Sequence, residues 1–447
     1  MEARSETRGS YHILTYGCQM NVRDSEILAG IVEGMGYIMT PHLDEADLII
    51  FNTCSVRHSA ENKVYGKLGE VARLKRKNPD MIIAVGGCMA QLENVRKRLK
   101  KQQVDIVFGT QNLDELPQLI AEHQQSGRNL VKIYEEGDRE IADNLPSSRN
   151  KGVSAFVNIM YGCNNFCSYC IVPYTRGRER SRQPDHIMAE IRDLLRQGYK
   201  EVTLLGQNVN SYGKGLEAGV DFADLLSMVS RIDGIERIRF TTSHPRDMSD
   251  KLIDTIAQEP KVCEHIHVAM QAGSNRILQL MNRGYTREHY LERTQRIREK
   301  IPGVAISTDI IVGFPGESEE DFQDTLDMVR KVRFDSAFTF MYSVRSGTKA
   351  ASLDHHLPLE VRRQRLLTLN ELQYSIALEI NQSLVGSTQE VLVEGWSKTD
   401  KGKLSSRTRT NRIVIFSGPE TLIGKIINVK IKEATTFSLF GEIMQVD

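Results

Sequence analysis

The 447-residue chain has no excess of charge of either sign: Lys and Arg total 58, as do Asp and Glu, and the formal net charge is zero. That balance excludes a global positive field, the usual electrostatic footprint of a nucleic-acid-binding protein, so any such contact has to be local. No run of eighteen apolar residues occurs, which leaves no candidate for a membrane-spanning helix. The stretch Met1-Glu-Ala-Arg-Ser-Glu-Thr-Arg lacks an apolar segment of secretory-signal type, and the expectation is a cytoplasmic protein. Cysteine is sparse and odd in number, seven in all. In a large chain without a secretion signal this argues against a disulfide framework and for thiols kept reduced for metal or catalysis.

Three of the seven are crowded into Tyr161-Gly-Cys-Asn-Asn-Phe-Cys-Ser-Tyr-Cys, where Cys163, Cys167 and Cys170 form a CxxxCxxC pattern behind an apolar run from Ala155. Thiolates this close can share one metal centre. Zinc usually takes four ligands from paired spacings, and neither a second CxxC nor an HxxxH is present to complete such a site. Thiolate-rich sites also select iron–sulfur clusters. A three-Cys loop would hold three irons of a four-iron cluster and leave the fourth open.

Residues 11–126 alternate apolar strands with helical spacing. Strands are expected at 12–16, 47–51, 81–85 and 104–108, and Ile27, Leu28, Ile31, Val32 and Met35 form a helical stripe ended by Gly36. Such alternation predicts a parallel sheet with crossover helices. Cys18, Cys54 and Cys88 each fall just past a predicted strand, in the turn before a helix. In open parallel sheets those ends share one edge, so residues more than thirty apart in sequence should converge there, as a second three-thiolate site. The basic runs 73–77 and 96–101 read as solvent faces of helices. Residues 127–150 mix charge, Gly and Pro, as a linker does.

Six further strands are expected at 155–160, 201–205, 237–241, 265–270, 305–312 and 337–342, most followed by helical spacing. Six units in series predict an incomplete β/α barrel, with chemistry at the carboxyl ends of its strands. Gln207, Asn208, Ser243, His244, Gln271 and Asp309 lie at those ends and suit the hydroxyls, amine and carboxylate of a small polar cofactor. Taken singly, each also suits a helix cap, the reading preferred for Ser243 and Ser318. Tyr169 suits either an adenine ring or simple packing. Cys263, His265 and His267 read as structural. Arg176, Arg178, Arg180 and Arg182 are spaced by two, as on one side of an extended segment that meets phosphate or carboxylate; a solvated loop is the plainer reading. After a helix over 359–383, short strands at 388–394, 404–408, 411–416, 422–433 and 438–445 predict a small antiparallel barrel. Arg407, Arg409 and Arg412 sit there without matching carboxylates in the sequence nearby, a pattern suited to RNA.

In this order the three parts resemble the methylthiotransferases, radical S-adenosylmethionine (SAM) enzymes that insert a methylthio group into an unactivated C–H bond. Thr15-Tyr-Gly-Cys-Gln-Met-Asn with Asp24-Ser-Glu, Asn52-Thr-Cys-Ser-Val-Arg and Pro173-Tyr-Thr-Arg-Gly-Arg-Glu-Arg-Ser-Arg are similar to the branch acting on N6-isopentenyladenosine at position 37 of tRNA. Branches acting on threonylcarbamoyladenosine or on an aspartate of ribosomal protein S12 are the alternatives; Gln19-Met20 stands where they have Lys-Val and Pro-Lys. The resemblance implies domains at 10–126, 151–380 and 383–446, joined by the linker 127–150, the last a TRAM module. It implies two 4Fe-4S clusters, held by Cys163, Cys167 and Cys170 and by Cys18, Cys54 and Cys88, with SAM on the first and the transferred sulfur on the second. The implied partners are the tRNA anticodon stem-loop, an external electron donor and a sulfur or iron–sulfur donor protein, with no membrane, for a monomer.

Overall fold

The computed structural model describes residues 8–55, 58–134, 142–149, 152–217 and 219–444, without the side chains of 58–60. Val56 and Arg57 of the second motif and parts of the linker lie outside them. The chain divides into two compact units, one holding residues 1–151, 160–166 and 170–182, the other 152–159, 167–169 and 183–447.

In the first unit, six strands form one parallel sheet: β1 (Gly9–Thr15), β2 (Tyr37–Met39), β3 (Leu48–Thr53), β4 (Ile82–Gly87), β5 (Ile106–Phe108) and β6 (Leu130–Lys132), in the order β2-β1-β3-β4-β5-β6. The inner strands Leu-Ile-Ile-Phe-Asn-Thr and Ile-Ile-Ala-Val-Gly-Gly are buried along their whole length, because helices cover both faces. The stripe of helix Gln19–Gly34 packs on one face with Leu116, Leu119 and Ile120; Val64, Leu68, Val71, Val95 and Leu99 pack on the other. Two strands absent from the sequence reading, β2 and β6, are three-residue edges that expose Ile38, Met39 and Val131 and are too short to read as strands. The basic runs lie on helices His58–Lys77 and Glu93–Leu99, where Arg98 stacks 3.5 Å over the Tyr65 ring.

The second unit contains β7 (Ser154–Asn158), β8 (Glu201–Leu205), β9 (Arg237–Phe240), β10 (His265–His267), β11 (Ala305–Val312) and β12 (Ser336–Met341). They pair in parallel as β7-β8-β9 and β10-β11-β12, and the bridges Ile238↔Val262 and Ser243↔Val268 join the two runs. The result is the open six-stranded β/α barrel expected. Strand β10 stops at His267 rather than 270, and pairing beyond it continues only through the isolated bridges Ser243↔Val268 and Gln271↔Ile310, with Gln271 at φ +69. Helix Leu359–Gln382 then packs on β12, with Gln373 donating to the Phe334 carbonyl at 2.8 Å.

The C-terminal strands β13 (Thr388–Trp396), β14 (Leu404–Thr408), β15 (Ile413–Phe416), β16 (Ile426–Ala434) and β17 (Ser438–Ile443) close a barrel around Val391, Val393, Val414, Phe416 and Val429. It is not wholly antiparallel: β15 and β17 run parallel. The absence of carboxylate partners for Arg407, Arg409 and Arg412 is also overturned. Arg407 pairs with Glu394 at 2.7 Å, Arg409 with Glu264 at 2.7 Å, and Arg412 with Asp335. Glu264 and Asp335 come from distant sequence, which local inspection cannot find. The buried Arg237 and Arg239 donate in return to the carbonyls of Arg407, Thr408 and Arg409 at 2.7–2.9 Å. The β14–β15 turn is thereby fastened to the amino ends of the half-barrel strands.

Arg239 also bonds the 2 %-exposed Glu201 at 2.8 Å. Arg239→Ala strands that carboxylate and two carbonyls, and should destabilise the unit by about 3–5 kcal/mol in urea unfolding. Arg407→Ala breaks a half-exposed pair, and its expected cost is under about 1 kcal/mol.

Candidate functional site

The structure brings Cys18, Cys54 and Cys88 to one sheet edge. Cys18 is the N-cap of helix Gln19–Gly34, and Cys54 and Cys88 directly follow β3 and β4. Register sets them side by side: Thr53 pairs with Gly87, and the Cys88 amide donates to the Thr53 carbonyl at 2.8 Å. Asn21 and Asn52 lock the turns. Asn21 Nδ2 donates to Asn52 Oδ1 and the Thr53 carbonyl, its Oδ1 accepts from the Cys18 amide at 3.3 Å, and Asn52 Nδ2 returns to the Asn21 carbonyl at 2.8 Å. Gly17 has φ +137, and a Cβ there would stand 2.6 Å from that of Cys54. Only glycine lets these turns approach so closely.

Arg176 does not lie on an extended, solvent-facing strand. It ends the short helix Val172–Arg176, is 4 % exposed, and pairs with buried Asp24 at 2.7 Å. Burial pushes the Cys88 thiol up and the Arg176 charge pulls it down. Burial opposes the charge on Arg176 itself, but Asp24 and the Cys88 and Cys18 thiols together hold it well above the usual range. The expected direct contact of Arg176 with RNA is therefore withdrawn, because its guanidinium is buried and paired with Asp24. Arg178 remains exposed, 4.4 Å over the Phe166 ring, and Arg182 is buried against Asp143 at 2.6 Å.

The CxxxCxxC loop belongs to both units. In the first, the Cys163 amide donates to the Gly177 carbonyl at 3.1 Å; Gly162 (φ +72) has no room for a Cβ, which would meet the Arg178 carbonyl at 2.0 Å. In the second, Ser168 is held by the Met281 and Leu280 carbonyls, and Arg283 Nη1 donates to Cys167 Sγ at 3.3 Å. Arg283 is 5 % exposed; burial opposes its charge, yet Tyr169, Tyr285 and Cys167 keep it well above the ordinary range. Tyr169 packs beside Ala272, Ile277, Phe314 and Tyr342.

The half-barrel's carboxyl rim gathers the remaining expected residues. Buried Asn208 donates to Asp247 at 2.7 Å and accepts from the His244 amide at 3.1 Å; Gln207 beside it is half-buried. Thr242 and Gln271 both adopt φ +69, a strained conformation that clusters at ligand sites. Asp309 lies 3.3 Å from His267 Nε2, so His267 is tied to the rim. Ser318 caps a helix as expected, but Ser243 does not: its Oγ and His244 Nε2 are buried without a partner. Burial, with Arg283 nearby, pushes the His244 imidazole down to about 2. A neutral ring and a hydroxyl with spare hydrogen-bonding capacity suit a small polar ligand such as SAM.

All seven cysteines are outside disulfides. Among the described residues no three His, Cys, Asp or Glu side chains close around a single ion. Arg283 and the Asp24–Arg176 pair escaped the sequence reading. Neither has a spacing signal, and Arg176 looked like one member of a basic run.

Three family models match consecutive parts of the chain: an uncharacterized protein family, UPF0004, over residues 10–109, the Radical SAM superfamily over 157–329, and the TRAM domain over 382–444. A protein of Syntrophomonas wolfei named tRNA-2-methylthio-N(6)-dimethylallyladenosine synthase is 65% identical over 97% of each chain. One of the same name from Carboxydothermus hydrogenoformans is 55% identical over 97% of this chain and 98% of its own. Among solved structures, the radical SAM methyltransferase TsrM from Kitasatospora setae, with cobalamin and a [4Fe-4S] cluster bound, matches with a TM-score of 0.57. It is 14% identical over 86% of this chain and 81% of that one, a likeness of fold alone.

His244 yields a pH prediction. Its folded pKa lies below the unfolded value near 6.5, so the unfolded chain binds the extra proton between about pH 2 and 6.5, and stability falls as pH drops through that window. Between pH 7 and pH 5 the loss attributable to His244 should be roughly 2 kcal/mol in urea titrations. His244→Gln should flatten that slope.

Proposed function

The chain belongs to the family of tRNA-2-methylthio-N(6)-dimethylallyladenosine synthases, and we propose that it makes that family's product at position 37, next to the anticodon, using two thiolate-held clusters. It is a radical SAM methylthiotransferase that modifies tRNA and uses a 4Fe-4S cluster with SAM. The observation that carries the two-cluster reading is the convergence of Cys18, Cys54 and Cys88 on one sheet edge of a chain that also bears the CxxxCxxC loop. The family-model matches favour domains at 10–126, 151–380 and 383–446 with a linker at 127–150.

When bound, the clusters and SAM supply a 5′-deoxyadenosyl radical at one site and the methylthio sulfur at the other. The protein's part is to hold, orient and shield. Cys163, Cys167 and Cys170 ligate the SAM-binding cluster, and Arg283 restrains Cys167 by its hydrogen bond. Ser243 Oγ and His244 Nε2 receive polar groups of SAM, within a rim that Asn208, Gln271 and Asp309 shape. Gln207 and Tyr169 flank the same cofactor, Tyr169 from its apolar cluster. Cys18, Cys54 and Cys88 ligate the sulfur-donating cluster in turns that the Asn21–Asn52 amides hold rigid. RNA contact falls to Arg178 and to barrel surfaces other than the docked β14–β15 turn, since Arg407, Arg409 and Arg412 are engaged internally. The reducing equivalents and the replacement sulfur come from external donor proteins. No helix among the described residues is long and apolar enough to cross a membrane. The working form is a cytoplasmic monomer.

Anaerobic reconstitution should give about eight irons per chain. Four would remove the second cluster. Cys18→Ala should retain SAM cleavage to 5′-deoxyadenosine within about twofold and lose methylthiolation, as read by mass spectrometry of tRNA nucleosides; loss of both would refute the division of labour.

A further inference from the structure

Successive side chains alternate along a strand, and register sets His265 beside Ala305 and His267 beside Ser307. His265, His267, Ser307 and Asp309 thereby share one face of β10 and β11, where they bond in series. His265 Nε2 and His267 Nδ1 each lie 3.0 Å from Ser307 Oγ, and His267 Nε2 lies 3.3 Å from Asp309 Oδ2. Both rings and the hydroxyl are buried, while the Asp309 side chain is 31 % exposed, so the series opens at the carboxylate. Phe338, opposite Asp309 in register, stands beside the His267 ring with 6.1 Å between ring centres. The Asp309 carbonyl accepts the Gln271 amide at 2.7 Å, which joins the end of the series to the rim.

A carboxylate only accepts, so a neutral His267 must carry its proton on Nε2 and leave Nδ1 bare. Ser307 has one hydroxyl hydrogen and gives it to Nδ1, and its oxygen then accepts from His265 Nε2. Burial, with the Arg239 guanidinium nearby, pushes the His265 imidazole well below its usual range, and a neutral ring has the single N–H that this order requires. Every hydrogen in the series therefore points toward Asp309, and bonds so ordered polarise one another. Buried polar groups cost stability unless all are paired, and apolar side chains would fill the space without that condition. Packing alone does not account for the series. We propose that His267, backed by Ser307 and His265, is a positioning residue for Asp309: it fixes Oδ2 and leaves Oδ1 to accept from the hydrogen-bond donors of SAM. The two strand histidines then serve the cofactor site and not the fold alone. This inference rests on the reading that SAM occupies the rim, and the experiment separates the two.

The full chain, reconstituted anaerobically, is titrated with SAM at equilibrium, with reductant withheld so that SAM stays intact. Asp309→Ala should weaken SAM binding about tenfold, as for loss of a hydrogen bond to a charged group. His267→Leu should weaken it about fivefold at unchanged iron content, and Ser307→Ala about threefold. His267→Gln, whose amide can still donate to the carboxylate, should return affinity to within about twofold of the parent chain. In the Asp309→Ala background neither His267→Leu nor Ser307→Ala should change SAM affinity further, because their effect passes through the missing carboxylate. Parent-like affinity in His267→Leu and Ser307→Ala, or the same weakening with and without Asp309, overturns the proposal. So does equal weakening by His267→Leu and His267→Gln, which would make the ring a packing element. Where His267→Leu fails to retain iron, Ser307→Ala with and without Asp309 decides the matter. Parent-like affinity in Asp309→Ala is a different result: it removes this carboxylate from the SAM site, and the proposal with it.

Discussion

A parallel sheet puts the carboxyl ends of all its strands on one edge, and both thiolate sites depend on that constraint. Strands β1, β3 and β4 are adjacent and in register, so cysteines three, one and one residues past their ends converge on one edge although 36 and 34 positions separate them in sequence. The half-barrel repeats the device, with Asn208, Ser243, Gln271 and Asp309 arriving at one rim from successive strands. An antiparallel arrangement would alternate these ends between two edges and scatter both sets. Chemistry here follows from topology before it follows from side-chain contact.

Gathering thiolates in a buried place has an electrostatic cost, and the chain meets it with guanidinium groups rather than with solvent. Arg283 donates to Cys167 Sγ and to the Ala269 carbonyl, while Arg176 is held by Asp24; both are almost fully buried. Arginine suits this duty because it stays charged when desolvated and donates in several fixed directions. The contrast with Arg239 is instructive. That residue is as buried, but its partners are Glu201 and backbone carbonyls, and its role is to join two folded parts. The partner set, not the burial, separates an arginine that serves a reacting centre from one that serves the fold.

Strands, helices and the cysteine placement were legible because each depends on local pattern: apolar runs, helical stripes, and a turn at a strand's end. The edge strands Tyr37–Met39 and Leu130–Lys132 were not, since three residues are too few to show a strand pattern. Partnership was the larger gap. Arg176 and Asp24 are 152 positions apart, Arg409 and Glu264 are 145 apart, and nothing in a linear reading couples them. The orphan Ser243 hydroxyl looked like a cap because Ser is a good cap; only the fold shows that it has no helix to serve. Sequence thus locates the elements and the reactive atoms, while the charges that balance them are settled by three-dimensional packing.

That distinction changes how a neutral chain should be matched to a polyanion. Counting guanidinium groups along β14 and its turn suggested an RNA-binding face, but each of those charges is already opposed by a carboxylate. An arginine so engaged must break a pair before it can meet phosphate, and the exchange returns little net energy. Exposed positive charge is also found on the helices His58–Lys77 and Glu93–Leu99, where Arg73, Arg76, Lys77 and Arg98 face outward. Those helices carry few acids, Glu61 and Glu70 on one and Glu93 on the other, and Glu70 and Glu93 pair with Lys67 and Lys97. A run that first read as an ordinary solvent face therefore holds more uncompensated charge than the strand that first read as a binding surface. Polyanion binding tracks charge left over after internal pairing, because only that charge releases counterions without a compensating loss inside the protein.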